Sequence, residues 1–293
     1  MENDLYSYSP ITEREPIVWP EGKKIAFYLG LNIEHFHVGV PATSSSPLTA
    51  GFSPDPMNHG WRDYGTRAGI WRMIDLLDEV GLRASAITNS EVLTAYPQIV
   101  EAAVERDWAW IAHGQTNSIL HTGMGEEEEA AFLETMMATW DAHLPARPQG
   151  WLGPALTETF ATPRLLQERG VKYLLDWTAD DRPFALNVPG MISVPYSMDV
   201  NDIGLFVGKA TTGSQYEEMV MDQFEVLLSE GGNVMALPVH PFVVGQPFRF
   251  KYLSRVLKAI TSHPDVWVTT STDIADHFLA GEAAKSEPAA AAA

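Results

Sequence analysis

The chain has 293 residues, with 38 Asp and Glu against 19 Lys and Arg, a formal net charge of −19 and no cysteine. This surplus of negative charge repels phosphate backbones and excludes a nucleic-acid-binding protein. Without cysteine the chain has no disulfide, no Cys-ligated zinc and no thiol nucleophile. We interpret the acidic surplus as a solvated surface rather than as a field that attracts cationic substrates.

The two ends of the chain carry little predicted function. The first residues lack the basic and apolar segments of a secretion signal, and no run approaches the ~20 apolar residues of a membrane span. A cytoplasmic protein with no membrane partner is therefore expected. Residues 1–20 are predicted to form an N-terminal arm, residues 21–280 one catalytic domain, and the Ala-rich residues 281–293 a disordered tail.

Strand-like and helix-like segments alternate through the body of the chain. An apolar run over residues 25–33 has the length of a buried strand, and apolar residues recur at helical spacing over 64–80, ending at Gly81. Further strands are predicted at 84–88, 108–112, 149–152, 171–175, 192–195, 234–239 and 266–270. Further helices are predicted at 90–96, 99–106, 126–144, 162–169, 216–229 and 250–262. This alternation predicts a parallel α/β barrel or a doubly wound sheet in a single domain.

Polar side chains fall at or just after the ends of these predicted strands. They are Asn32, Glu34, His35, His113, Asp176, Trp177 and His240. Each alone has an ordinary interpretation, as a solvated strand end or a histidine bonded to loop backbone. In a parallel barrel, however, the carboxyl ends of the strands converge on one face, where active sites are built. Three histidines and a glutamate at equivalent positions therefore favour a catalytic site.

The order of these motifs over residues 20–278 resembles the polysaccharide deacetylase family, which implies a distorted (β/α) barrel. The turn Asn32-Ile33-Glu34-His35-Phe36 stands where the family has Thr-Phe-Asp-Asp-Gly. The resemblance places Glu34 at the catalytic base and His35 at a metal-binding Asp. His113 matches the first histidine of the family's His-x-x-x-His motif, whereas Asn117 replaces the second. His240 matches the family's catalytic histidine.

The departures from this pattern are similar to the branch of the family that opens cyclic amides, namely allantoinases and cyclic imide hydrolases. Residues 64–71, 240–242 and 245–249 carry this second resemblance, together with Asp176 and Trp177. It implies a hydrolase that opens small cyclic imides, working as a homo-oligomer, with a tetramer suspected. An allantoinase-type ureide hydrolase and a polysaccharide N-deacetylase are the alternatives. A non-catalytic binding protein that retains the fold is a third hypothesis.

The resemblance also suggests a role for each candidate residue. Glu34 would activate water and His240 would protonate the leaving nitrogen or hold the oxyanion, with Asp176 as a third catalytic residue. A divalent metal, zinc by preference, would be held by His35 and His113, with a third ligand from Glu34, Asn117, His121 or water. A site without a metal is the alternative. Asn32, Asn117, Trp151, Trp177, Phe242 and Phe248 would contact a small planar ring, although such aromatic residues can equally be core. Arg67 or Arg249 would pair with an anionic product.

Overall fold

The structure is a computed structural model that describes residues 4–40 and 45–286. Nine strands form one sheet: β1 (Ile25–Ile33), β2 (Ser85–Thr88), β3 (Ala109–Ala112), β4 (Gly150–Trp151), β5 (Tyr173–Leu174), β6 (Phe184–Ala185), β7 (Ile192–Ser193), β8 (Asn233–Val239) and β9 (Val266–Val268). The strand order is β6-β7-β5-β4-β3-β2-β1-β8, and β9 pairs with the start of β1. Every pairing is parallel except β6 with β7.

The sheet is curled rather than open. The Tyr28 hydroxyl on β1 donates a 2.6 Å hydrogen bond to the carbonyl of Pro195, just past β7. Because β7 stands at the far side of the strand order from β1, the two can meet only when the sheet bends round on itself. This curl confirms the distorted (β/α) barrel and rules out the doubly wound alternative.

Nine helices pack outside the sheet in the described part of the chain. They are α1 (Pro56–Tyr64), α2 (Ile70–Val80), α3 (Ser90–Ala95), α4 (Pro97–Glu105), α5 (Glu126–His143), α6 (Thr162–Gln167), α7 (Gly213–Glu230), α8 (Pro247–Thr261) and α9 (Ser271–Ser286). The helix predicted over 64–80 is α2 preceded by a π-helical turn at Gly65–Gly69. Apolar periodicity misses α1, which begins at Pro56, where the side chain of Asp55 accepts a hydrogen bond from the backbone N–H of Asn58.

Alternation along the strands divides the core in two. On β1, Ala26 and Tyr28 face the interior of the barrel, whereas Ile25, Phe27 and Leu29 face the helices. Successive side chains of a strand point to opposite faces, and both faces are buried here. This explains why β1 reads as a continuous apolar run.

Residues 4–20 and 281–286, which belong to the predicted arm and tail, have defined contacts or secondary structure. The ring of Tyr6 packs edge-on against Trp177 and Phe184, and Trp19 is buried with its Nε1–H bonded to the carbonyl of Asn233. Helix α9 continues through Ser286, beyond the predicted boundary at 281, and the remaining tail lies outside the described residues. Among residues 4–40 and 45–286, no helix is both long enough and apolar enough to span a bilayer.

Candidate active site

Three interior rows of the barrel end in ionisable side chains. On β1, the interior-facing row of Ala26 and Tyr28 continues through Asn32 to Glu34. On β3 and β8, every second residue after Ile111 and Ala236 faces the interior in the same way, and these rows end at His113 and His240. Because the strands are parallel, these rows end at the same rim of the barrel. The structure therefore brings together Glu34, His113 and His240, as the sequence indicated.

Glu34 lies between the two histidine rings. Its Oε1 is 3.6 Å from His113 Nε2 and 3.5 Å from His240 Nε2. The three side chains are 5%, 3% and 7% exposed, so water hardly screens their interaction. His113 Nδ1 lies 2.6 Å from the carbonyl of Leu152, which can only accept, so this nitrogen carries a hydrogen and Nε2 faces the carboxylate.

A second carboxylate, Asp202, supports His240 from behind. Its Oδ1 lies 2.6 Å from His240 Nδ1, and its Oδ2 accepts the backbone N–H of His240 at 2.8 Å. The side chain of Asp202 is fully buried. The result is a continuous polar chain from Asp202 through His240 and Glu34 to His113.

Sequence reasoning did not find Asp202. It lies on an irregular segment between β7 and α7, just before a π-helical turn at Ile203–Gly208, and so follows no strand end. No signal in the sequence distinguishes it from the neighbouring acids Asp181 and Asp199.

The charges of these four side chains determine the protonation states of His240 and Glu34. Burial acts to lower the pKa of His240, but the carboxylates of Asp202 and Glu34 outweigh it and raise that pKa to about 10. Burial acts to raise the pKa of Glu34, but the positive charge of His240 and polar contacts with His113 lower it to about 2. At neutral pH, His240 is therefore an imidazolium and Glu34 a carboxylate.

The rim beside Glu34 opens into a small cavity. Its volume is ≈ 10 Å³, about enough for one water molecule. It is lined by Glu34, Phe36, His59, Arg62, Asp63, Thr66 and Tyr96. The guanidinium of the buried Arg62 lies 4.5 Å above the ring of Phe36. Arg62 is thus the cation at this cavity, whereas Arg67 is exposed to solvent and Arg249 stacks on Phe206 and Phe248.

Close backbone packing positions the segment that carries His240. A Cβ built on Gly69 would come within 2.0 Å of the Pro241 carbonyl oxygen, and one on Gly245 within 2.1 Å. Only glycine permits such an approach. Gly69, in residues 64–71, and Gly245, in residues 245–249, therefore pack closely against Pro241 and fix its position directly after His240.

Of the predicted substrate contacts, Phe242 lies beside His240. Its ring packs edge-on against His240 and Trp61, with ring centroids 5.4 and 4.8 Å apart. Asn32 is buried and donates to the Tyr196 hydroxyl and the Val239 carbonyl, each at 3.2 Å. It thus ties β1 to β8 from inside the barrel.

The other aromatic candidates and Asn117 lie outside the chain of Glu34 and its histidines. Trp151 is fully buried against His121, and Phe248 is 63% exposed. Trp177 donates its Nε1–H to Glu158. Asn117 Oδ1 accepts from Asn89, which also bonds the carbonyl of His113. As substrate contacts, these residues remain predictions.

Asp176 belongs to a neighbouring carboxyl pair. Its Oδ1 accepts the Gly153 N–H at 2.7 Å, while Glu158 accepts from Trp177 at 3.0 Å. Burial raises the pKa of Glu158 to about 7, and burial together with the charge of Glu158 raises the pKa of Asp176. The structure thus places Asp176 beside Glu158, and its catalytic role remains a prediction.

The residues at the family's metal positions do not form a three-donor set. The ring of His35, two residues past the end of β1, faces Tyr96 and Glu91. His121, a proposed third ligand, is buried in an ion pair with Glu129. In the described residues, the donors that cluster closely enough for a metal are His35, His37 and Glu91, without His113.

A scan of the sequence against known protein families finds no matching family. A Schizosaccharomyces pombe protein, provisionally described as a polysaccharide deacetylase, is 25% identical over 240 residues, which are 74% of this chain and 75% of that protein. A Pseudomonas aeruginosa PAO1 structure with the same provisional description has a TM-score of 0.82 at 24% identity, over 91% of this chain and 95% of that one. The chain is thus similar in sequence and in fold to proteins described as polysaccharide deacetylases.

The similarity to other solved structures is uneven. The crystal structure of PuuE allantoinase matches with a TM-score of 0.83 and 24% identity, over 94% of this chain and 98% of that one. The peptidoglycan deacetylase PdaC of Bacillus subtilis covers 90% of this chain and 95% of its own, with a TM-score of only 0.53 and 11% identity. The chain thus has the fold that the Pseudomonas aeruginosa protein and PuuE allantoinase share, and it matches these two structures about equally well.

Proposed function

We propose that this protein hydrolyses the C–N bond of small cyclic imides such as succinimide, maleimide and hydantoin-like rings. The observation that carries the proposal is the buried chain Asp202–His240–Glu34–His113 at the rim of the barrel. It combines a fixed carboxylate with a fixed imidazolium, which are the proton acceptor and proton donor that ring opening needs.

Glu34 would activate the attacking water. The carboxylate lines a cavity with room for about one water molecule, and it is ionised at neutral pH. As the water oxygen attacks the imide carbonyl carbon, its proton passes to Glu34. The cation of His240, whose Nε2 lies 3.5 Å from Glu34 Oε1, would stabilise the oxyanion that develops.

His240 would then complete the reaction as the acid. As the C–N bond breaks, Nε2 of His240 gives its proton to the departing nitrogen, while Asp202 keeps Nδ1–H in place. Loss of the charge on His240 removes the attraction that keeps the pKa of Glu34 low. Glu34 consequently returns the water's proton to His240, and the resting state is restored.

This mechanism uses no metal step, because the donors at the family's metal positions do not converge. The sequence placed a divalent metal, zinc by preference, on His35 and His113; in the described residues the three donors that cluster closely include His35 but not His113. A homo-oligomer, suspected to be a tetramer, is proposed for the intact protein.

The preference for a small ring over a polysaccharide rests on the resemblance of residues 64–71 and 245–249 to the ring-opening branch. In the structure, Gly69 and Gly245 from these two segments pack against the carbonyl of Pro241, directly after His240. The resemblance supports imides and ureides equally, so an allantoinase-type activity is the second candidate.

A substrate panel tests the proposal. Purified protein is incubated with succinimide, maleimide, hydantoin, allantoin and N-acetylglucosamine oligomers, and the products are resolved by NMR. We expect half-amide products from the imides, loss of turnover in Glu34→Gln and normal turnover in His143→Ala, an exposed histidine of α5. Activity on the oligomers alone would overturn the proposal, and activity on allantoin alone would favour the second candidate.

A further inference from the structure

A second histidine cluster lies beside the active-site rim and takes no part in the proposed reaction. His35 and His37 follow β1, and Glu91 lies in the first turn of α3. Glu91 Oε2 is 2.6 Å from His37 Nε2 and 3.6 Å from His35 Nε2, and all three donor atoms lie within 4.8 Å of one another. The three side chains are 23%, 37% and 35% exposed, so an ion from solvent can reach them.

From this geometry we infer that His35, His37 and Glu91 form a binding site for a divalent first-row transition ion, with zinc as the best fit. Two imidazole nitrogens and one carboxylate oxygen make the His₂Glu set, which leaves a fourth position open. Nitrogen donors also disfavour magnesium and calcium, which prefer all-oxygen sites.

The distances suit such an ion with little movement. Tetrahedral zinc with bonds of about 2.1 Å places its ligand atoms about 3.4 Å apart. The separation of His35 Nε2 from Glu91 Oε2, at 3.6 Å, already matches this, whereas the 2.6 Å contact of His37 with Glu91 is a hydrogen bond that must open slightly. Glu91 has the freedom to make this small shift, since its side chain is one-third exposed.

The surroundings of His35 support a ligand role. Its Nδ1 lies 3.2 Å from the Tyr96 hydroxyl, and its backbone N–H donates to Asn89 Oδ1 at 2.7 Å. A histidine that ligates a metal usually directs its second nitrogen to a hydrogen-bonding partner, which fixes the ring orientation. Tyr96 serves as that partner and leaves Nε2 facing Glu91.

A bound ion would connect two segments that build the active site. His35 is the residue directly after Glu34, and Glu91 is two residues past Asn89, which bonds the carbonyl of His113. The ion would therefore hold the segment after β1 against the start of α3. It would act as a positioning group for Glu34 rather than as a reactant.

Metal binding can be measured without any reference to turnover. Metal-free protein, prepared by dialysis against a chelator, is titrated with zinc by calorimetry and with Co²⁺ by visible absorption, which reports tetrahedral coordination. We expect one ion per chain and a melting temperature that rises with zinc concentration. Absence of zinc binding to the wild-type protein would overturn the inference.

Variants locate the ion. Replacing a metal ligand's supporting residue typically weakens binding about 10–100-fold, so we expect that loss for Tyr96→Phe and a greater one for His37→Gln and Glu91→Gln. His143→Ala, an exposed histidine elsewhere, should bind normally. If His113→Ala abolished binding while His37→Gln did not, the ion would sit at the family's position and the inference would be wrong. Failure of the imide panel leaves these binding results unaffected, so the two proposals fail separately.

Discussion

Replacing Asp202 with Asn tests whether this buried carboxylate makes His240 an acid. The pKa of His240 is about 10, against 6.5 for a free histidine, and Asp202 provides the largest of the attractions that raise it. Asn keeps the size of the side chain, but it loses the charge and one of the two acceptor oxygens. We expect the pKa of His240 to fall by at least about one unit, where each unit corresponds to about 1.4 kcal/mol.

The loss of activity should be large, because the variant removes the carboxylate that keeps Nδ1–H and the ring of His240 in place. General acid–base groups contribute about 10²–10⁴-fold, so we expect kcat on succinimide to drop within that range. The pKa of His240 is read from NMR titration of its ring nitrogens, and kcat from product formation. Asp222→Asn, an exposed acid on α7, is the matched control. Wild-type kcat together with an unchanged His240 pKa in Asp202→Asn would refute the reasoning.

Other predictions follow from the same geometry. The log of kcat/KM should stay level through neutral pH and fall as pH rises through about 10, where His240 loses its proton; a fall centred near pH 6.5 would contradict this assignment. Because the pKa of His240 is raised in the folded state, its protonation adds to the free energy of unfolding; this contribution is complete below about pH 6.5 and is lost as pH rises through about 10. The free energies of unfolding of wild type and His240→Gln, measured in urea, should therefore differ most at acidic pH. Gly69→Ala should reduce kcat about 10-fold or more, because its Cβ would displace the Pro241 carbonyl that it would approach to 2.0 Å; a crystal structure with Pro241 unmoved and full activity would contradict the packing argument. Arg62→Met should raise KM while kcat changes little, if Arg62 binds substrate at the cavity beside Glu34; steady-state kinetics separate the two constants.

Much of the site was predictable because strand ends follow from local sequence. Each of β1, β3 and β8 is an apolar run that stops at a polar residue, and parallel pairing brings these ends to one rim. That argument found Glu34, His113 and His240 without knowledge of their contacts. It grouped His35 with them because adjacent residues look equivalent in a motif, although the ring of His35 contacts Tyr96 and Glu91 instead.

Elements with weak local signals were missed. Helix α1 has no sustained apolar face, and β6 has only two residues, Phe184 and Ala185, paired antiparallel to β7. Residues 281–286 were expected to be disordered because the Ala-rich tail has no apolar pattern to pack, yet they continue α9, and alanine has the highest helix propensity. In each case composition by itself could not decide between helix, strand and loop.

The sequence by itself determined the alternation of strands and helices, the rim at which polar residues gather and, through the absence of cysteine, the restriction of site chemistry to His, Asp, Glu and water. These are consequences of residue type and short-range periodicity. Only the tertiary structure decided that Asp202 supports His240, that His35 joins His37 and Glu91, and that Asp176 pairs with Glu158. Such contacts join residues far apart in the chain, and they depend on how loops cross the barrel rim, which no local pattern specifies.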